Sequence, residues 1–214
     1  MTLVPDRRTI VVLSSLIGSM TLASGLLLLL EPAPSNSWGR AIELTSVRSL
    51  VSEDEQIFEV EVPVHSGRWD AIVIHDSGSR IGSAATVDRV HRQLGRDGLG
   101  YHFVINNQQG DHEDGQIERG PRWRKQQDGH HSGGTRGEWL NRRAIGICLI
   151  GDLAKEGPSN AQIEQLIWLV QRLQARLEIS ANRVFSPSDL EGRAGSPPIF
   201  PIDQFRAQLL ARRP

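Results

Sequence analysis

The chain has 214 residues, with 24 Lys and Arg against 25 Asp and Glu and a formal net charge of -1. That length allows one ordinary domain plus an appendage, and the balanced charge excludes a global field that would draw the protein to nucleic acid. The single cysteine, Cys148, excludes a disulfide framework, an N-terminal lipoprotein anchor and any zinc site built on two thiolates.

Residues 9–30 carry no charge and end in the run Leu26 to Leu30. At helical rise such a segment reaches about 33 Å, enough to cross a hydrocarbon core of roughly 30 Å. Arg7 and Arg8 precede it and Glu31 follows, so the positive-inside bias keeps residues 1–8 in the cytoplasm. Residues 9–30 are therefore expected to form an uncleaved, single-pass signal anchor in the cell membrane. A cleavable signal peptide is the rival reading, although its apolar region usually spans about 7–15 residues. Both place the remaining chain on the extracytoplasmic, periplasmic side. Residues 31–64 read as a linker and N-terminal extension, opening with Pro32, Pro34, Ser35 and Asn36. Within it, Ile57 to Val62 alternates weakly and suggests an edge strand. The folded domain is expected over residues 65–214.

In that domain Ala71-Ile72-Val73-Ile74 is a short, wholly apolar run, which predicts a strand buried on both faces. It leads into His75, Asp76 and Ser77, and polar residues at the end of a buried strand are where α/β sheets place chemistry. Ala84 to Leu94 has helical spacing, with Val87, Val90, His91 and Leu94 on one side. Tyr101 to Ile105 and Ile145 to Ile150 predict two further strands. The segment from Gly110 to Asn141 is glycine-rich and polar, and a loop of that length is usually functional. Asn160 to Leu177 carries Ile163, Leu166, Ile167, Val170, Leu173 and Leu177 on one stripe, behind a capping box of Ser159 and Gln162. A last helix spans about Ile202 to Leu210. Alternating elements of this kind predict an α/β fold, a central mixed β-sheet flanked by helices.

Five blocks carry a resemblance. Trp69 to Ser77, Gly98 to Ile105, Asp114 to Glu118, Gly129 to Gly134 and Asn141 to Leu153 resemble, in order, motifs of the type 2 N-acetylmuramoyl-L-alanine amidases and peptidoglycan recognition proteins. The resemblance implies a zinc hydrolase that cuts the amide between N-acetylmuramic acid and L-alanine of peptidoglycan. It places His75 at the first zinc-ligand position and Tyr101 at the catalytic tyrosine. Arg193 falls at the basic position beside the third ligand. At the other two ligand positions the sequence has Pro187 and Gly195, whose side chains cannot bind a metal. The expectation is zinc absent or weakly bound at the family position. Two of His102, His130, His131, Asp76 and Asp189 joining His75 would be the route to a rebuilt site.

His131, His102, Asp76 and Trp123 are the candidate substrate-binding residues. Each has a plainer reading: His102 alternates away from Tyr101 along its strand, and Trp123 is simply packed between Arg122 and Arg124. Cys148, within an apolar strand, reads as an inert core residue. Three functions follow. The first is a membrane-tethered domain that binds peptidoglycan, with hydrolysis lost or impaired. The second is an active amidase with a different metal site. The third is a structural or regulatory envelope protein without a ligand.

Overall fold

The computed structural model describes residues 6–8, 11, 12, 15, 53–109, 112–186, 189 and 199–209. The chain divides into Met1–Val51 and Ser52–Pro214. Among the described residues no helix is long and apolar enough to cross a membrane. The anchor expected at 9–30 lies, save Val11, Val12 and Ser15, outside them.

The second unit is built on five strands: β1 Ala71–Asp76, β2 Phe103–Ile105, β3 Ile117–Arg119, β4 Ala144–Leu149 and β5 Val184–Phe185. Their order in the sheet is β3-β2-β4-β1-β5. Among these strands β2 and β3 pair antiparallel; β4 runs parallel to both β2 and β1, and β5 parallel to β1. The helices are α1 Glu53–Gln56, α2 Ala84–Gln93, α3 Pro121–Arg124, α4 Gly137–Arg143, α5 Asn160–Leu177 and α6 Ile202–Ala207. This is the mixed sheet flanked by helices that the sequence predicts.

Strand periodicity divides the sheet into two unlike faces. On one, Ile72, Ile74, Phe103, Ile105, Ile145, Ile147 and Leu149 pack against α5 through Leu166, Leu169, Val170 and Leu173. Burying each such side chain stabilises the fold by about 1.5–3 kcal/mol before entropy is counted. The α5 capping box forms as the sequence predicts, with Ser159 Oγ accepting from the Gln162 N–H at 3.0 Å and Gln162 Oε1 accepting from the Ser159 N–H at 3.2 Å. Gln162 also donates to the Ile105 and Ile150 carbonyls, tying the start of α5 to the sheet. The helix ends at Glu178, whose φ of 57° is left-handed.

The opposite face carries Ala71, Val73, Ala144 and Leu140 in one small cluster. A second contains Tyr101, Val104, Cys148, Ile150, Leu99 and Val87.

Four local expectations are revised. Residues 57–62 form no strand: Phe58 alone is buried there, against Phe103 and Trp168, and the Glu61 and Val62 N–H groups both donate to the Arg124 carbonyl. In α2 only Val87 and His91 face inward, while Val90 and Leu94 are 46% and 67% exposed, because the helix covers the sheet with a single row. Strand β2 starts at Phe103 and not at Tyr101, because the His102 ring takes the Gly146 N–H that a strand partner would use. The segment from Gly110 to Asn141 is not one loop, since it holds β3, α3 and the start of α4.

Candidate functional site

The side chains with chemistry gather on the face opposite α5, around the ends of β1 and β4. Parallel pairing sets His75 beside Cys148 and Val73 beside Gly146. Gly146 leaves open ground there, and the His131 ring fills it. A Cβ at Gly146 would lie 2.4 Å from His131 Cδ2, and one at Gly129 would lie 2.3 Å from the same atom. Both glycines are required for that ring to sit where it does.

Asn141, at the end of α4, fixes the loop that carries the ring. Its Oδ1 accepts from the N–H groups of His131 (2.8 Å) and Ser132 (2.9 Å), and its Nδ2 donates to the Ser132 carbonyl. The result brings three polar atoms together. His75 Nε2 is 3.1 Å from His131 Nδ1, Ser132 Oγ is 2.9 Å from His131 Nδ1, and Ser132 Oγ is 3.5 Å from His75 Nε2. Tyr101 closes one side, its ring stacked on His131 at 6.1 Å and tilted toward His75 at 5.4 Å.

Hydrogen-bond partners set the tautomers. His131 Nε2 donates to the Ala144 carbonyl at 3.3 Å, which leaves the lone pair on Nδ1. His102 Nδ1 accepts from the Gly146 N–H at 2.9 Å, so its Nε2 donates to the Gln127 carbonyl at 3.1 Å. Burial lowers the His131 pKa to about 4 and takes that of His102 well below its ordinary value. Burial likewise raises the Tyr101 phenol and the Cys148 thiol. At neutral pH His131, His102, Tyr101 and Cys148 are uncharged. Uncharged imidazoles and a phenol present directional donors and acceptors to a polar ligand, and His131 is a poor general base.

Among the residues singled out from sequence, the structure brings His75, His131 and Tyr101 together. His102 is fully buried behind them, with its ring edge on Trp69 at 4.7 Å and both ring nitrogens on backbone. Asp76 is half-buried and accepts from the Leu153 N–H at 3.0 Å. Trp123 is not brought to this cluster; it lies in the core on the α5 side, 5.0 Å from Phe103. Its neighbour Arg122 is buried too, donating to the Leu99 carbonyl at 2.7 Å and pairing with Asp97. Asp189 is held by the Ser186 N–H and hydroxyl and by Arg206. Pro187, Arg193 and Gly195 lie outside the described residues. Sequence reasoning passed over Ser132 and Asn141. Both stand in the quoted blocks, where a polar residue beside histidine and an asparagine before a buried strand were the available signals.

Among the described residues no group of three His, Cys, Asp or Glu side chains is placed to hold a metal ion.

An α/β domain with its polar cluster at the ends of two central parallel strands defines a class of protein that binds ligands at the strand ends. Comparison makes the class specific. A family model described as N-acetylmuramoyl-L-alanine amidase matches residues 65–197. The chain belongs to that family, which is generally zinc-dependent. Solved structures agree. The N-acetylmuramoyl-L-alanine amidase LysC from Clostridium intestinale is 26% identical, with a TM-score of 0.54 over 70% of this chain and 95% of that one. The endolysin amidase LysCS from the same organism is also 26% identical, with a TM-score of 0.50 over 70% and 93%. A peptidoglycan recognition protein from Alvinella pompejana is 25% identical, with a TM-score of 0.45 over 73% and 94%. Comparison with curated proteins finds no match.

Proposed function

We propose that this family member binds peptidoglycan through muramic acid and its stem peptide, and that its hydrolysis of the muramoyl-L-alanine amide is lost or impaired. The observation that carries the reading is the donor set. The motif resemblance implies zinc ligands at His75 and at positions 187 and 195, and the last two are proline and glycine. Neither side chain has a lone pair to offer. A catalytic zinc needs three protein ligands beside its open position, and one imidazole does not supply chelation. When bound, zinc in such a site activates a water for attack on an amide carbonyl. The residues of this chain that would then act on the carbonyl are Tyr101 and Arg193, as donors to developing negative charge.

Recognition does not need the metal. The cluster of His75, His131, Ser132 and Tyr101 suits the polar, hydroxyl- and amide-rich surface of a muropeptide. Residues 9–30 anchor the domain in the membrane, with residues 65–214 on the periplasmic side against the cell wall.

The test is sedimentation of the purified full-length chain with insoluble peptidoglycan, together with analysis of the supernatant for released stem peptides. The expected outcome is co-sedimentation without release. A chain that stays in the supernatant overturns the binding reading, and released peptides overturn the impairment. Extraction of cell envelopes at alkaline pH should leave the chain in the membrane pellet if residues 9–30 span the bilayer.

A further inference from the structure

The geometry points to a second ligand site, a groove for an uncharged β-linked N-acetylhexosamine strand, on the α5 side of the sheet and across it from the His75 cluster. The chemistry of the groove stands by itself; only the source of the strand, the glycan of the cell wall, rests on the function proposed above.

Trp168 is the wall shared by two hollows. The larger, about 620 Å³, opens between α5 and α6 and presents Asn160, Glu164, Gln171, Gln204 and Gln208 around the indole. The smaller, about 310 Å³, opens between α5 and the turn before β3 and presents Gln165, Gln116, Asp114 and Glu113. Ligand pockets usually span about 300–1,000 Å³. The indole is half-buried and rests against Phe58 at 5.7 Å, and Gln171 Nε2 donates to the Gln208 carbonyl at 2.5 Å, tying α5 to the end of α6. The hollows thus meet at an aromatic side chain held in place.

The charge of this face selects the ligand. Residues 156–171 hold no Lys, Arg or His, in a chain with 24 Lys and Arg. Among the described residues no such side chain lines either hollow. Arg172, one turn beyond Trp168, stands 5.8 Å from the ring centroid but outside both linings. A stem-peptide carboxylate, a phosphate or an acidic polymer would therefore find no counter-charge here. Side-chain amides are what the hollows offer. The Asn160, Gln165 and Gln204 amides and the Glu164 carboxylate have no protein partner among the described residues. An amide presents donors and an acceptor in one plane, which matches the acetamido group and neighbouring hydroxyls of an N-acetylhexosamine. The indole adds apolar area for the C–H groups of a sugar ring and an N–H for a hydroxyl. A strand crossing Trp168 would set one sugar in each hollow. With stem peptide held on one face and glycan on the other, the domain grips the wall at two points, and each weak contact reinforces the other.

The test titrates the full-length chain by calorimetry with chitotetraose, a β-linked N-acetylglucosamine tetramer that carries no muramic acid and no peptide. Saturable binding is expected, and Trp168→Ala should weaken it about tenfold or more. Because that indole packs on Phe58, a paired variant, Glu164→Ala with Gln204→Ala, keeps the test valid if Trp168→Ala fails to fold; both positions are exposed. The paired variant should also bind more weakly. No saturable binding overturns the proposal. Binding unchanged in either folded variant, or equally strong for maltotetraose, which lacks acetamido groups, overturns it as well. Muramoyl dipeptide, titrated separately, reads the His75 cluster. Chitotetraose bound without the dipeptide keeps the groove and removes the stem-peptide reading, whereas dipeptide bound without chitotetraose removes the groove alone.

Discussion

The two faces of the central sheet are made from alternate residues of the same strands, yet they do opposite things. Toward α5, Ile72, Ile74, Ile145, Ile147 and Leu149 meet an apolar stripe and the contact is hydrocarbon throughout. On the other side, His75, Gly146 and Cys148 meet a loop, and the space is filled by the imidazole of His131 and the ring of Tyr101. Pairing β1 with β4 in register aligns both sets at once. What differs is the partner. A long helix brings one repeating stripe, whereas a loop brings single side chains, each held by its own hydrogen bonds. The first face therefore supplies stability that tolerates volume-conserving change. The second supplies a polar arrangement that depends on a few glycines and one asparagine.

That contrast can be broken at either face. The largest effect is expected at Leu166, fully buried under the sheet. Leu166→Ala should lower unfolding free energy by about 2–5 kcal/mol, read as a shift in the urea midpoint, while the folded fraction still binds peptidoglycan. Lost binding at full folding would show that the two faces are coupled.

Acid should act on the polar face instead. His131 titrates near 4 in the folded chain against an ordinary 6.5, because burial disfavours its charged form. Between those values the unfolded chain binds more protons. Its contribution to stability is complete above pH 6.5 and is lost as the pH falls toward 4, by up to about 3 kcal/mol. His102 and His91 are lowered as well and act in the same direction. In metal-free buffer the urea midpoint should fall from pH 7 to pH 5, and His131→Gln should flatten that slope. A midpoint independent of pH in that range would refute a buried, neutral His131.

A smaller effect sharpens the role of the glycine floor. Gly146→Ala places a methyl 2.4 Å from the His131 ring, and the overpacking should cost about 1–3 kcal/mol. Combined with His131→Ala, the penalty should largely vanish, because the ring it meets is gone. Additive losses in that double-mutant cycle would mean that Gly146 matters for another reason.

Legibility in the sequence followed the same division. Helix α5 was readable to the residue, since a six-residue apolar stripe along its eighteen residues and a capping box point the same way. Strands β1 and β4 were readable as apolar runs, because burial on both faces leaves no alternation to misread. Short elements were harder. In α2 the apolar side was misjudged, since a ten-residue helix with four candidate positions does not fix its own rotation. The weak alternation at 57–62 was overridden by one anchored phenylalanine.

By itself the sequence determined the family, the apolar strands β1 and β4, the long helix α5 and the place of His75 near the end of β1, because these depend on local periodicity and short motifs. Only the tertiary structure decided which polar groups meet. It sent His102 and Trp123 into the interior and placed His131 and Ser132 against His75. Residues 56 and 57 positions apart in the chain share a site through β-pairing, two glycines and the hydrogen bonds of Asn141, and no spacing in the sequence records that approach.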